Sequence, residues 1–288
     1  MTIHPETTMG MVTLCVADLG RSLDYYRHRI GLQLHRQEGG AAFLGAGGPD
    51  LLCLVEQPGA RPVQRGRTGL YHFALLLPSR LALARTLRHL LETRTPIAGA
   101  SDHGVSEALY LTDPDGHGIE IYRDRPRAEW PMVSTPRGME LAMTVDPLDV
   151  EGILAELAPG GGGGAAMPAE TIVGHVHLHV AELEAAEAFY CGVLGFTLMQ
   201  RFDRSASFVS AGGYHHHLGL NIWAGRGAPP PPEDAARLLH YEIVLPAAEA
   251  LEAVLARIQA AGLIPQARDG GWFLHDPSRN GVVLRAGR

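Results

Sequence analysis

The chain lacks any apolar run near the ~20 residues a helix needs to cross a bilayer. It also lacks a basic run. With 31 acidic against 24 basic side chains, the formal net charge is −7. That balance argues against nucleic acid or an anionic membrane surface as the main partner. Cysteine is scarce: Cys15, Cys53 and Cys191 are widely spaced, odd in number and form no CxxC. The pattern excludes a disulfide framework and points to a reducing compartment. The first residues, MTIHPETTMG, show no basic segment followed by an apolar one, so no secretory leader is expected. These absences lead to the expectation of a cytoplasmic globular protein, and 288 residues suffice for two domains. Histidine, by contrast, is plentiful: fifteen residues, three of them consecutive at His215, His216 and His217. That raises the expectation of a metal site without locating one.

The chain repeats itself. GMVTLCVADLGRSLDYYRHRIGLQL (10–34) and GHVHLHVAELEAAEAFYCGVLGFTL (174–198) align at a constant offset, 174 − 10 = 164. Val12, Leu14 and Val16 match Val176, Leu178 and Val180, Tyr26 matches Tyr190, and Gly31 matches Gly195. Each copy reads as an alternating strand, an acidic residue at a helix start, an amphipathic helix and a terminating glycine. A second pair, from Leu70 and from Leu239, runs from a strand ending in Leu-Pro through a helix to an Asp-Pro hairpin at Asp113-Pro114 or Asp276-Pro277. The chain thus holds four strand–helix–strands modules. Modules one and two fill 9–124 and modules three and four fill 171–288. The segment 125–170, with Arg125-Pro126, Trp130-Pro131 and the glycine run Gly160 to Gly164, reads as a linker.

The segment GASDHGVSEALYLTDPDGHGIEIYR (99–123) carries the most chemistry. Asp113-Pro114-Asp115-Gly116 is a turn, with proline presetting φ and glycine taking the positive-φ place. In the strand that follows, Ile119 and Ile121 point one way and Glu120 and Tyr122 the other. A lone Glu on a strand is usually solvated; a buried one needs a partner or a metal.

These features resemble the vicinal oxygen chelate superfamily, built from paired βαβββ modules and including glyoxalase I, bleomycin-resistance proteins and type I extradiol dioxygenases. The residues carrying the resemblance are GLYHFALLLP, SDHGVSEALYLTDPDGHGIEIYRDRPR, GHVHLHV and SAGGYHHHLGLNIW. The string from His103 to Glu120 resembles the extradiol signature, and the nearest likeness is to two-domain catechol 2,3-dioxygenase-like proteins. The resemblance implies an α+β fold of four βαβββ modules in two tandem domains. It also implies ligands drawn from the first and last strands of paired modules.

The first-strand positions are Met11, His72, His175 and His240, and the last-strand positions are Glu120 and, at 120 + 163 = 283, Val283. Modules one and two together lack a second histidine, and modules three and four lack the carboxylate. Modules two and three supply His72, Glu120 and His175, the facial triad of a non-haem Fe(II) oxygenase. The catalytic cup is therefore expected from the two middle modules, eight strands in all, leaving modules one and four to pair. Pairing within one chain or between copies of a homo-oligomer stays open, as does the choice among His175, His177 and His179. His72 is expected to share its face with Ala74 and Leu76, with Tyr71 on the other. By resemblance, His103 and Tyr110 fit the extradiol pattern, His216 or His217 is the acid–base group, and His215 belongs to a turn. His240, with Glu242 beside it, is read as structural. The expected activity is Fe(II)-dependent cleavage of a small aromatic catechol by O2. The alternatives are a Ni- or Zn-dependent glyoxalase-like isomerase and a metal-free aromatic-binding protein. The module-three counterpart of Glu120 falls near Leu218, which leaves the site one carboxylate short for the isomerase.

Overall fold

A computed structural model describes residues 2–135, 138–158, 166–268 and 270–287. The glycine run Gly160–Gly164 lies outside the described residues. Each module is built as its pattern dictates. In modules one and three, alternating strands Thr8–Val16 and Ile172–His179 lead into short helices. Asp18 caps the first by accepting from the Arg21 N–H at 2.9 Å. Both helices loosen into a π turn and stop at Gly31 and Gly195, whose φ values of 91° and 92° are left-handed. In modules two and four the longer helices Arg80–Glu92 and Ala248–Ala260 cover the sheets with apolar faces.

The four modules assemble into two mixed sheets, one from modules one and four and the other from modules two and three. One has eight strands: module four's Arg237–Leu245 lies antiparallel to module one's Thr8–Val16 at its centre. The other joins module two's Gly69–Leu77 to module three's Ile172–His179. That second sheet has nine strands rather than the expected eight, because Asp146–Pro147 of the linker pairs with Gly99–Asp102 at its edge. The added pair covers an edge whose N–H and C=O groups would otherwise be open. The main core, including Leu14, Leu54, Phe73, Ile121, Val176 and Tyr241, lies outside the cup. A small separate cluster of Ala74, Ala108 and Tyr122 sits on the cup side.

The Asp-Pro turns tie sequential modules together. Asp113 Oδ1 accepts the N–H groups of Asp115 and His117 at 2.9 and 2.8 Å, and its Oδ2 accepts the buried Tyr26 hydroxyl at 3.0 Å. Asp276 does the same with Ser278, Asn280 and Tyr190, at 2.8, 2.8 and 3.0 Å. Module two is thus clamped to module one and module four to module three. Gly116 takes the left-handed place in the first turn (φ 98°), and Arg279 takes it in the second (φ 70°). No helix among the described residues is long and apolar enough to cross a membrane.

Candidate metal centre and cavity

The cross-strand register puts the candidate ligands in two rows on the concave face of the nine-stranded sheet. One row runs Tyr110, Glu120, Ala74, His175, each residue paired with the next across neighbouring strands. The adjacent row runs His72, His177, Gly219, Phe208. Small side chains separate the polar ones. Ala74 leaves Glu120 and His175 free to meet over it, with Glu120 Oε2 at 3.0 Å from His175 Nε2. A Cβ at Gly219 would lie 2.6 Å from the His177 ring, so only glycine seats that imidazole.

Glu120 Oε2 also lies 2.9 Å from His72 Nε2. One ligand atom from each of His72, Glu120 and His175 lies within 4.8 Å of the other two, and all three residues are buried. Burial opposes ionisation of Glu120, but the fields and N–H groups of His175 and His72 outweigh it and hold its carboxyl well below the usual range. Burial depresses His72 despite Glu120, which favours the neutral imidazole. The fit to a cation is direct. His72 Nε2 is buried without a hydrogen-bond partner, although a carboxylate oxygen is close. Two imidazoles and one carboxylate converging on one point is a donor set suited to a divalent transition metal.

His72 and Glu120 of the triad line a cavity of ≈ 730 Å³, within the ~300–1,000 Å³ range typical of small-molecule sites. Tyr110 lines it beside Glu120. Its hydroxyl lies 2.7 Å from His103 Nε2, and His103 Nδ1 lies 2.7 Å from the Thr144 carbonyl. A carbonyl only accepts, so Nδ1 carries the proton and Nε2 of the neutral ring accepts from Tyr110. Burial, then Glu120, pushes the Tyr110 hydroxyl well above its ordinary pKa. His216 lines the cavity too, its ring centroid 4.2 Å from that of His175. Burial, followed by His175 and His215, holds its pKa well down.

Three expectations are corrected. His217 does not line the cavity: its Nδ1 accepts from the Ala211 N–H at 3.2 Å and lies 3.0 Å from Ser210 Oγ. His215, expected to be only part of a polar turn, is fully buried and hydrogen-bonded. Its Nε2 donates to Asp124 Oδ1 at 2.9 Å and its Nδ1 faces His216 Nδ1 at 2.8 Å. Tyr71 lies on the same side as His72, not opposite. Register slips between His177 and Leu178, whose partners are His72 and Leu70, leaving Tyr71 in a bulge. A bulge breaks strict alternation, and Tyr71 packs on His177 and Trp223 at 5.1 and 5.2 Å. His240 lies in the other sheet, 3.1 Å from Thr13 Oγ1.

Sequence reasoning overlooked Asp124, the partner of His215, and several wall residues. Asp124 stands two positions beyond Tyr122, so period two could have found it. Met143, Thr144 and Val145 enter from the linker with no pattern to announce them.

Comparison with known proteins agrees with this architecture. The model of the Glyoxalase/Bleomycin resistance protein/Dioxygenase superfamily matches residues 8–121 and 172–283. A protein of Bacillus subtilis (strain 168) named catechol-2,3-dioxygenase is 45% identical over 278 residues, covering 96% of this chain and 95% of its own. Among solved structures, a putative dioxygenase from Bacillus subtilis subsp. subtilis str. 168 superposes with a TM-score of 0.64 at 15% identity, over 97% of this chain and 85% of its own. Glyoxalase I from Zea mays superposes with a TM-score of 0.56 at 18% identity, over 97% and 92%. At such identities the structural likenesses speak for the fold alone. The family model, matching most of the chain in two repeats, shows that the chain belongs to the Glyoxalase/Bleomycin resistance protein/Dioxygenase superfamily.

Proposed function

We propose that this protein is an Fe(II)-dependent extradiol dioxygenase that opens the ring of a catechol with O2. The observation that carries the reading is the buried His72–Glu120–His175 cluster, with one carboxylate only, whose His72 and Glu120 line a cavity with His216 and Tyr110. The relative named catechol-2,3-dioxygenase supports the same reading. His72, Glu120 and His175 would hold the metal. Bound there, Fe(II) would supply coordination of the two vicinal oxygens and of O2, and would acidify the catechol hydroxyls.

The chain's own residues would move the protons. Asp124 accepts from His215 Nε2–H, so the Nδ1 of neutral His215 is bare and accepts from His216 Nδ1–H. That leaves His216 Nε2 as the basic nitrogen. Its depressed pKa keeps it unprotonated and ready to take a catechol proton, which it returns later in the reaction. Thr144 fixes the His103 tautomer and His103 orients the Tyr110 hydroxyl, which can hydrogen-bond a substrate oxygen beside Glu120. Tyr71 and Trp223 at the mouth offer aromatic faces to the ring.

An isomerase of the glyoxalase type would need a second carboxylate. The concave positions of the strand Leu218–Asn221 are Gly219 and Asn221, and Asn221 is engaged with His179 at 2.7 Å. The test is to load the anaerobically purified protein with Fe(II) and supply catechol in air. A yellow ring-opened product should form, and Glu120→Ala should lose both iron and turnover. Turnover of the methylglyoxal–glutathione adduct without catechol consumption would overturn the reading.

A further inference from the structure

One stretch of the cavity wall does nothing for the chemistry above. The loop from Val63 to Thr68 forms part of the rim and brings Arg65 and Arg67 to it. The loop is a fixed feature. The Val63 N–H donates to the Asp115 carbonyl at 2.8 Å, the Thr68 N–H to the Pro229 carbonyl at 3.0 Å, and the buried Thr68 hydroxyl to the Ser278 carbonyl at 2.8 Å. Both ends are thus pinned to the Asp-Pro turns or to the proline-rich loop.

The charge of that rim is uncompensated. Neither Arg65 nor half-buried Arg67 has a hydrogen bond or ion pair to any described residue. Arg61, on the same segment, is paired with Asp234 at 2.6 Å. A third guanidinium, Arg237, also lines the cavity, and its oxygen acceptors are all neutral: the Gln57 amide and the carbonyls of Glu233 and Ala235, at 3.2, 2.7 and 2.9 Å. Glu120 is the single carboxylate in the wall, and its charge is turned to the two histidines. The chain contains no lysine and carries a net charge of −7. Three arginines against one inward-facing acid therefore make this cavity a local positive site on an acidic protein.

The cavity is also large for its proposed reactant. At ~30 Å³ per water in the liquid, 730 Å³ equals roughly two dozen waters, and a lone catechol ring leaves much of that space unfilled. Arg67 stands five residues before His72, at most ~18 Å of extended chain from it. Arg67, His72 and Glu120 line the same cavity, so a substituent on a ring held at the triad shares its space with that guanidinium.

Building on the catechol reading above, we infer that the substrate is a catechol carrying an anionic side chain, a carboxylate being the simplest case. Arg67, with Arg65 beside it, receives that group while His72, Glu120 and His175 mark the ring end. A planar guanidinium matches a carboxylate bidentately. Loss of such a charge-assisted contact typically costs ~10- to 100-fold in affinity.

The test compares 3,4-dihydroxyphenylacetate, its neutral methyl ester and the cationic 2-(3,4-dihydroxyphenyl)ethylamine. Equilibrium binding to the metal-loaded protein is measured anaerobically by quenching of tryptophan fluorescence, and kcat/KM is measured in air. The wild-type protein should prefer the acid over the ester by at least ~10-fold in both. Arg67→Ala should collapse that ratio, and Arg67→Glu should shift preference to the amine. Equal binding of acid and ester, or an unchanged ratio in both Arg67 variants, overturns the inference. Failure to open any of the three rings, with the acid still bound preferentially, overturns the dioxygenase reading and leaves the anion subsite standing.

Discussion

Replacing His217 by Phe should flatten the acid side of this protein's stability curve. The His217 ring is buried, and its Nδ1 accepts from the Ala211 N–H and lies beside the Ser210 hydroxyl. Burial first, then the neighbouring His215, His175 and Arg127, bring its pKa from 6.5 down to about 3. Between those values the unfolded chain takes up a proton that the folded chain refuses. The site's contribution to stability is therefore complete above pH 6.5 and is lost as pH falls toward 3, at ~1.4 kcal/mol per pH unit. Over the whole window the loss is on the order of 5 kcal/mol. His177 and His216 are depressed in the same direction and add to the slope with the same sign. His217→Phe removes its own share of the slope. It also leaves the Ala211 N–H without its acceptor, at ~1–3 kcal/mol. The variant should be less stable at pH 7, and its curve should meet the wild type's about one to two pH units below 6.5. Urea unfolding of the metal-free proteins between pH 7.5 and 4.5, followed by tryptophan fluorescence, reads both quantities. Parallel curves would show that His217 titrates normally in the fold and would refute the argument.

Three further changes probe the rest of the frame. Ala74→Leu should abolish metal binding without touching a ligand, because the new side chain must occupy the space over which Glu120 and His175 meet; metal content of the folded variant reads it. His215→Phe should slow turnover by ~10²–10⁴-fold at unchanged iron content, since His216 then loses the partner that sets its proton; pre-steady-state rates of ring opening read it. Asp113→Ala leaves the buried Tyr26 hydroxyl and two turn N–H groups without an acceptor, so unfolding should cost ~3 kcal/mol less or worse, while the Asp276 clamp, being remote, should add independently in the double variant; denaturant midpoints read it.

How far the sequence could be read follows from which rules the backbone obeys. The repeat at offset 164 exposed the modules because each must bury the same strand and helix faces. The ligand-bearing residues stood at matching module positions, so sheet pairing brought His72, Glu120 and His175 together. Period two then failed wherever the strand stopped being regular. Tyr71 reached the cavity through a bulge, which no local pattern announces. The histidine row follows two successive left-handed glycines, Gly212 and Gly213, with φ of 59° and 69°. After such a turn the facing of three consecutive residues cannot be counted from a preceding strand, so the choice between His216 and His217 stayed open until the cavity showed His216 in its wall. Thr144 fixes His103 across a sequence separation of 41 residues, from a segment that reads only as a linker.

The pairing of module two with three and of one with four explains why one sheet carries the candidate ligand set and the other does not. Sheet contacts join modules two with three and one with four, and aspartate clamps join one with two and three with four, so the modules close into a ring. In the nine-stranded sheet the facing positions hold His72, Glu120 and His175. At the corresponding places of the eight-stranded sheet stand Met11, His240 and Val283, which cannot bind a metal together. What remains polar there has partners of its own: His240 lies 3.1 Å from Thr13 Oγ1, and Glu242 is ion-paired with Arg285 at 2.7 Å. A buried ligand set is costly when no ion fills it, because its lone pairs and its carboxylate have lost water. Confining that cost to one sheet leaves the sister sheet free to be a packed frame. The clamps then pass its rigidity to the site, since the turn that opens at Asp113 leads into the strand that carries Glu120.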